Sequence, residues 1–293
     1  MKNNYCFGTA NFVRGYGVLK GKGFSQRKIK EIFNFLRRNK IKYIDTAINY
    51  KGVERKLGKL KLNYFKVYNK IPKLPKNIKN INHWVTSKIN SSLNRTNLKS
   101  YEAVFFHEPE DLLTKNKKEL YKSLISLKKK GKIKKIGLSL YNLKIIPKII
   151  KDFKIDIIQV PYNVFDKRIL KIIKKLKKRK IEVNVRSIFL QGILLKDYNK
   201  LPNYFKEWKD KFIKFENWCI KNKMSKVEAC LNTALENNLF DKVIIGVKNL
   251  EQFNEIFNLT NKKTRRISPK NFQTTDKRLI DPRLWRQQQK QSY

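Results

Sequence analysis

Acidic side chains are scarce in this chain: 23 Asp and Glu stand against 69 Lys and Arg in 293 residues, a formal net charge of +46. An excess of that size invites a nucleic-acid partner. The basic residues, however, are mostly lysine and are strewn through helical stretches such as 128–130, 174–180 and 206–214 rather than gathered on one face. They read as solvated helix faces, so no specific nucleic-acid partner is expected. Cysteine is also sparse. Cys6, Cys219 and Cys230 are too few for a disulfide framework and have no zinc spacing around them, so no metal site is expected. No run of ~18 apolar residues is present to cross a membrane. Met1 to Phe12 leads straight into a strand-like segment without the apolar stretch of a secretory signal, which predicts a cytoplasmic protein. Glycine motifs are missing too. Gly15, Gly17 and Gly21 miss the Gly-x-Gly-x-x-Gly spacing, and Gly21-Lys22-Gly23 is not a phosphate loop. No His-Glu-x-x-His motif occurs, and His83 and His107 are the two histidines of the chain.

What remains is ample apolar material, 41% with 12% aromatics, arranged as β-branched or aromatic runs alternating with amphipathic helical stretches. The runs Tyr5–Thr9, Lys42–Asp45, Lys66–Lys70, Ala103–His107, Lys135–Ser139, Ile157–Val160, Glu182–Arg186 and Val243–Ile245 read as about eight strands. Helices are expected over Ser25–Arg38 with Ser25 as N-cap, over Lys117–Lys130 ending at Gly131, and over Leu250–Asn258. The pattern predicts an α/β fold, a (β/α)8 TIM barrel over residues 1–260, followed by a basic C-terminal tail, 261–293. Within the tail, Leu279-Ile280-Asp281-Pro282-Arg283-Leu284-Trp285 is apolar enough to fold over the barrel mouth.

Enzymes on this fold gather their chemistry at the C-terminal ends of different strands. Here those ends offer Asp45, Lys70 and His107, with Tyr50 five residues past Asp45. Together they suggest proton transfer to a carbonyl that receives hydride. A phenol with a pKa near 10 needs an adjacent cation to act at neutral pH. Lys70 is the expected cation, Asp45 its counter-charge, and His107 the group that orients the carbonyl. His83, beside Trp84 in a predicted helix, is expected to be a surface or packing residue.

The chain resembles the aldo/keto reductases. The resemblance rests on Phe7-Gly8-Thr9-Ala10, Asp45-Thr46-Ala47 with Tyr50 and Gly52-Val53-Glu54-Arg55-Lys56-Leu57-Gly58, Lys70, His107, Ile136-Gly137-Leu138-Ser139, Gln159-Val160-Pro161-Tyr162-Asn163 and Ile245-Gly246-Val247-Lys248-Asn249. It implies a catalytic tetrad of Asp45, Tyr50, Lys70 and His107, and a nicotinamide cofactor, NADP with NAD as the alternative, lying across the barrel mouth. Ser139 and Gln159 would hold the carboxamide, and Gly8 and Thr9 would lie beneath the ring. Gly246, Lys248, Asn249, Gln252 and Glu255 would meet the adenosine phosphate end, at a helix start suited to anions. Three positions depart from the family: Leu140 stands for an Asn, Gln252 for an Arg, and Arg186 for the aromatic that stacks on the nicotinamide, a role a planar guanidinium also fills. Residues 185–195 resemble a bacterial branch associated with surface-polysaccharide or nucleotide-sugar pathways. The expected partner is a small carbonyl compound, the expected assembly a monomer or weak homo-oligomer. The alternative reading is a barrel that binds cofactor without catalysis and acts as a binding or regulatory module on a polyanion.

Overall fold

Two periodicities build the molecule, one of two residues along strands and one of 3.6 along helices. The structure, a computed structural model, describes residues 4–18, 21–235, 238–261 and 267–288. Residues 262–266 and 289–293, part of the expected tail, lie outside the described residues. Strands β1 (Tyr5–Gly8), β2 (Tyr43–Asp45), β3 (Lys66–Ile71), β4 (Tyr101–Phe106), β5 (Ile133–Ser139), β6 (Ile157–Pro161), β7 (Glu182–Arg186) and β8 (Lys242–Ile245) pair in parallel in chain order, and β8 closes onto β1. The connecting helices are α1 (Gln26–Arg38), α2 (Val53–Gly58), α3 (Ile81–Thr96), α4 (Lys117–Lys129), α5 (Ile146–Asp152), α6 (Ile173–Lys178), α7 (Lys209–Lys221) and α8 (Lys226–Leu235). After β8 come α9 (Leu250–Asn261), α10 (Lys277–Ile280) and α11 (Pro282–Gln288). This is the (β/α)8 barrel, with each strand within about two residues of its expected bounds. Among the described residues no helix is long and apolar enough to cross a membrane.

Helix α1 shows why these stretches are helical. Ile29, Ile32, Phe33 and Leu36, spaced i, i+3, i+4 and i+7, are buried, while Arg27, Lys28, Lys30 and Glu31 between them are exposed. Ser25 accepts a hydrogen bond from the Lys28 amide at 3.4 Å as N-cap, and Arg37 and Arg38 sit at the negative end of the helix dipole. Helix α4 stops at Lys129, one residue short of expectation, because Gly131 adopts a left-handed φ of 68°. Helix α9 runs three residues beyond its expected end at Asn258.

Strand parity divides the core in two. Alternate residues face the helices, and the others fill the barrel with Cys6, Tyr68, Ala103, Phe105, Ile157 and Ile244. Gly137 belongs to this inner set. A Cβ there would stand 2.5 Å from Phe105 Cδ1 and 2.8 Å from Ile157 Cγ2, so the Phe105 ring occupies the space a side chain would need. Outside the barrel, a Cβ on Gly58 would stand 2.1 Å from the Arg95 carbonyl oxygen, which brings α2 against α3. Between them Glu54 is buried. It accepts from Asn69 Nδ2 (2.9 Å) and Arg95 Nε (2.7 Å), and Asn69 Oδ1 accepts from the Lys70 amide (2.8 Å). A buried charge held by several donors is tolerated, and this one fixes the β3 backbone at Lys70.

The apolar segment near the C-terminus is packed. Leu279, Ile280 and Trp285 are buried, and Trp285 sits edge-on to Phe205 at 4.9 Å, its Nε1 donating to the Arg278 carbonyl at 2.8 Å.

Candidate active site

Because parity repeats every two residues, the inward positions that close the strands can be counted. Above Cys6 lies Gly8; above Tyr43, Asp45; above Tyr68, Lys70; above Phe105, His107; above Gly137, Ser139; above Ile157, Gln159; above Asn184, Arg186; above Ile244, Gly246. A layer that is largely apolar, with Asn184 its one amide, is thus capped by a ring that is polar or glycine at each strand. Strand β4 ends at Phe106, so His107 follows the strand instead of closing it; its amide still donates to the Ile71 carbonyl at 3.1 Å, which prolongs the ladder.

The ring carries a continuous hydrogen-bond chain. Lys70 Nζ donates to Asp45 Oδ2 at 2.6 Å and to the Thr46 carbonyl at 2.9 Å, with Lys70 and Asp45 only 1% and 4% exposed. Gln159 Nε2 donates to Asp45 Oδ1 at 2.7 Å, and Ser139 Oγ donates to Gln159 Oε1 at 3.3 Å. Tyr50, carried by the turn in which its amide donates to the Ala47 carbonyl, lies over this pair: Lys70 Nζ is 5.6 Å from its ring centre and the His107 ring 6.5 Å away, near perpendicular. The four expected catalytic groups therefore line one cavity.

Burial sets their protonation. The Tyr50 hydroxyl is pushed well above the ordinary phenol value, first by burial and then by Tyr16 and Asp45, with Arg186 opposing. The sequence reading asked Lys70 to lower it. Folding instead commits the Lys70 charge to Asp45, and Tyr50 stays protonated, a proton source rather than a phenolate. Lys70 is itself lowered by burial, against the pull of Asp45. His107 falls to about 3, from burial first and then the charges of Lys70, Arg186 and Arg283, so its imidazole is neutral at physiological pH.

The cavity has a volume of about 800 Å³ and runs from Tyr50 and His107 to Lys248 and Gln252. Of the residues expected to hold a cofactor, Gly8, Ser139, Arg186, Gly246, Lys248 and Gln252 line it, whereas Thr9, Gln159, Asn249 and Glu255 do not. Thr9 is buried, and its amide and hydroxyl both donate to the Asp45 carbonyl, at 2.9 and 3.0 Å. Gln159 is fully buried with both amide ends engaged. Asn249 caps α9, accepting from the Gln252 amide at 2.9 Å, while Gln252 Oε1 accepts from the Lys248 amide at 2.8 Å. Glu255 is exposed on α9. His83 is exposed on α3 and does not line the cavity.

Sequence reasoning did not single out Asn11, Tyr16, Glu108, Tyr141, Gln191 or Arg283, which also line the cavity. Asn11 Nδ2 donates to the Val247 carbonyl at 2.9 Å and so ties the end of β1 to the loop after β8. Gln191 Oε1 accepts from the Val18 amide at 3.0 Å, across the mouth. Ser187, Leu190 and Gln191 hold φ of 59°, 47° and 54°, left-handed backbone that non-glycine residues rarely adopt. Nothing in their residue types signals that conformation. Aromatic and cationic residues in loops flanking the counted strand ends were the available signal for Tyr141 and Tyr16.

A closed parallel barrel whose ionisable residues ring a cavity at the C-terminal mouth is the architecture of a barrel enzyme. The chain belongs to the aldo/keto reductase family, whose model matches residues 4–278, and is therefore an oxidoreductase of carbonyl chemistry. Solved structures carry the same fold. An aldo-keto reductase from Bacillus halodurans in its holo form is 17% identical, with 89% of this chain and 88% of that one covered and a TM-score of 0.71; its apo form gives 17%, 97%, 91% and 0.70. A Pseudomonas aeruginosa protein classed among the aldo-keto reductases is 18% identical, with 87% and 88% covered and a TM-score of 0.65. No curated protein matches the chain.

Proposed function

We propose that this protein reduces an aldehyde or ketone to an alcohol with a reduced nicotinamide cofactor, NADPH before NADH, and that Tyr50 delivers the proton. The observation that carries this reading is the buried chain Ser139–Gln159–Asp45–Lys70 beneath a protonated Tyr50, with a neutral His107 facing it.

The cavity suits a dinucleotide. One end holds the proton-donating group, and the other holds the N-terminus of α9 with Lys248, which has no carboxylate partner among the described residues. When bound, the cofactor supplies hydride to the carbonyl carbon. Ser139, whose hydroxyl reaches the cavity, binds the carboxamide; Gln159 turns toward it or acts through Ser139. Arg186 stacks on the ring through the face that Tyr141 leaves open, Gly8 leaves the floor clear, and Lys248 meets the adenosine phosphate. Thr9, Asn249, Gln252 and Glu255 shape the same binding surface, the first three by fixing backbone.

His107, neutral, donates a ring N–H to the carbonyl oxygen and orients it. Tyr50 gives its proton to that oxygen as hydride arrives, so the C=O π bond breaks, new C–H and O–H bonds form, and the alcohol leaves. The phenolate left behind is the moment at which Lys70 matters: a cation 5.6 Å from the ring centre, held by Asp45, stabilises it more than it stabilises the neutral phenol. The resemblance of residues 185–195 to the surface-polysaccharide branch makes sugar-derived carbonyls the first substrates to screen.

The test is fluorescence titration of cofactor-stripped protein with NADPH and NADH at fixed ionic strength. Saturable NADPH binding in the micromolar range, weakened about tenfold in Lys248→Ala, is expected from loss of one partly exposed charge contact. Absence of binding by either nucleotide overturns the reading.

A further inference from the structure

In a chain with three basic residues for each acidic one, an exposed lysine without a carboxylate is ordinary; a half-buried cation in the reaction cavity is not. Arg186 is such a cation. It closes β7, lines the cavity, and forms none of the ion pairs among the described residues. Its hydrogen bond to Ser187 Oγ is long, 3.4 Å, and its guanidinium carbon lies 4.0 Å from the centre of the Tyr141 ring. Burial opposes its charge, and the groups that offset this are Tyr141, through its charge and a side-chain hydrogen bond, then Tyr16 and Tyr50, not carboxylates.

Of the other cations that line the cavity, Lys22 and Lys248 are exposed to solvent, and the two nearer Tyr50 are paired. Lys70 is neutralised by Asp45. Arg283, whose guanidinium carbon lies 4.5 Å from the same Tyr141 ring, is neutralised by Asp281 at 2.7 Å and faces Glu108 at 3.9 Å. Arg186 is thus left with an uncompensated charge beside the proton-donating group, and its field also pushes down Lys70 and His107. Burial opposes a cation there, and an arriving anion would supply the ionic partner that the described residues do not. The Tyr141 ring takes one face of the guanidinium and limits its freedom, which leaves the N–H edge, whose fork geometry matches an oxyanion.

We propose that Arg186, braced by Tyr141, recognises a carboxylate on the substrate, so that this protein acts on carbonyl compounds that carry a carboxylate in the same molecule. The inference rests on the reductase reading and narrows its substrate class. A monoanion is favoured over a phosphate monoester because a single cationic charge is uncompensated at this depth. The edge contact is compatible with ring stacking, which uses a face.

The test compares 5-oxopentanoate with its methyl ester, and glyceraldehyde 3-phosphate with glyceraldehyde, at 50 and 200 mM salt. The surface charge attracts every anion and is screened by salt, whereas a contact inside the cavity is screened much less. The parent enzyme is expected to prefer the acid over the ester by about 30-fold or more in kcat/KM at both salt concentrations. In Arg186→Met that ratio falls to within about threefold of unity, and Arg186→Lys, which keeps the charge without the fork, lies between. Calorimetric titration of pentanoate against pentanamide, with and without NADP, reads the same site without turnover.

A parent enzyme blind to charge, or a preference that survives Arg186→Met while nucleotide affinity drops, overturns the inference and leaves the reductase reading standing. A preference confined to the phosphate pair also overturns it. Saturable pentanoate binding that is lost in Arg186→Met supports the inference even if neither carbonyl is reduced, a result that would instead defeat the reductase reading.

Discussion

The two ends of the barrel use their few carboxylates differently. At the end where the strands begin, Lys135 pairs with Glu182 (2.6 Å) and Glu102 (3.7 Å), Lys128 with Asp156 (2.6 Å) and Lys177 with Asp241 (2.5 Å), all with partly exposed lysines. At the end where the strands finish, Asp45 and Lys70 are sealed together, Arg283 is neutralised, and Arg186 is not. Pairs at the first end serve cohesion, each contributing little because solvent screens it. At the second end desolvation magnifies every charge, so the arrangement shapes protonation and recognition. With 23 acidic residues in the chain, leaving a guanidinium without one in the deeper cavity is the informative asymmetry.

Substitutions on the two sides sharpen this contrast. Lys70→Met strands a buried Asp45 carboxylate, so the urea midpoint should report a loss of about 3–5 kcal/mol. A smaller effect follows from His107. Its pKa is lowered on folding from 6.5 to about 3, so between those values the unfolded chain binds the extra proton. The stability linked to this group is complete above pH 6.5 and is lost as pH falls toward 3. Moving from pH 7 to 4.5 should therefore cost the parent about 2 kcal/mol more than His107→Gln, measured as the difference between urea midpoints. Smallest of all, Lys135→Met at the opposite end should change stability by less than about 1 kcal/mol and leave the pH profile as it was. A loss comparable to that of Lys70→Met would erase the distinction between the ends.

Much of this was legible in the residues, for a physical reason. Strand parity is a covalent property of extended backbone, so once strands near Lys66–Lys70 and Ala103–His107 are recognised, Lys70 and His107 must share the inner face with Tyr68 and Phe105. What stayed hidden depends on partners distant in sequence. The amide of Gln159 goes to Asp45, 114 residues away, and withdraws from the cavity where it was expected to act. Asn249 and Gln252 cap α9, because an exposed helix start presents unsatisfied amides to the nearest polar side chains. Tyr141 and Arg283 meet only because the C-terminal segment docks through Trp285, and no local pattern brings the two together. The raised value of the Tyr50 hydroxyl was not legible because the sequence names a neighbouring cation but not how deeply the hydroxyl is buried.

The experiment that decides whether the ring at the strand ends performs carbonyl reduction is a single turnover. Protein loaded with NADPH is mixed with a carboxylate-bearing aldehyde, and the loss of reduced-nicotinamide absorbance is followed for the parent and for Tyr50→Phe. The parent should oxidise the cofactor in one exponential phase, and the variant, with nucleotide affinity retained, should be slower by about a thousandfold, the scale of a positioned proton donor. Equal rates in the two proteins would mean that the proton comes from elsewhere and that the geometry around Tyr50, Lys70 and His107 has been misread.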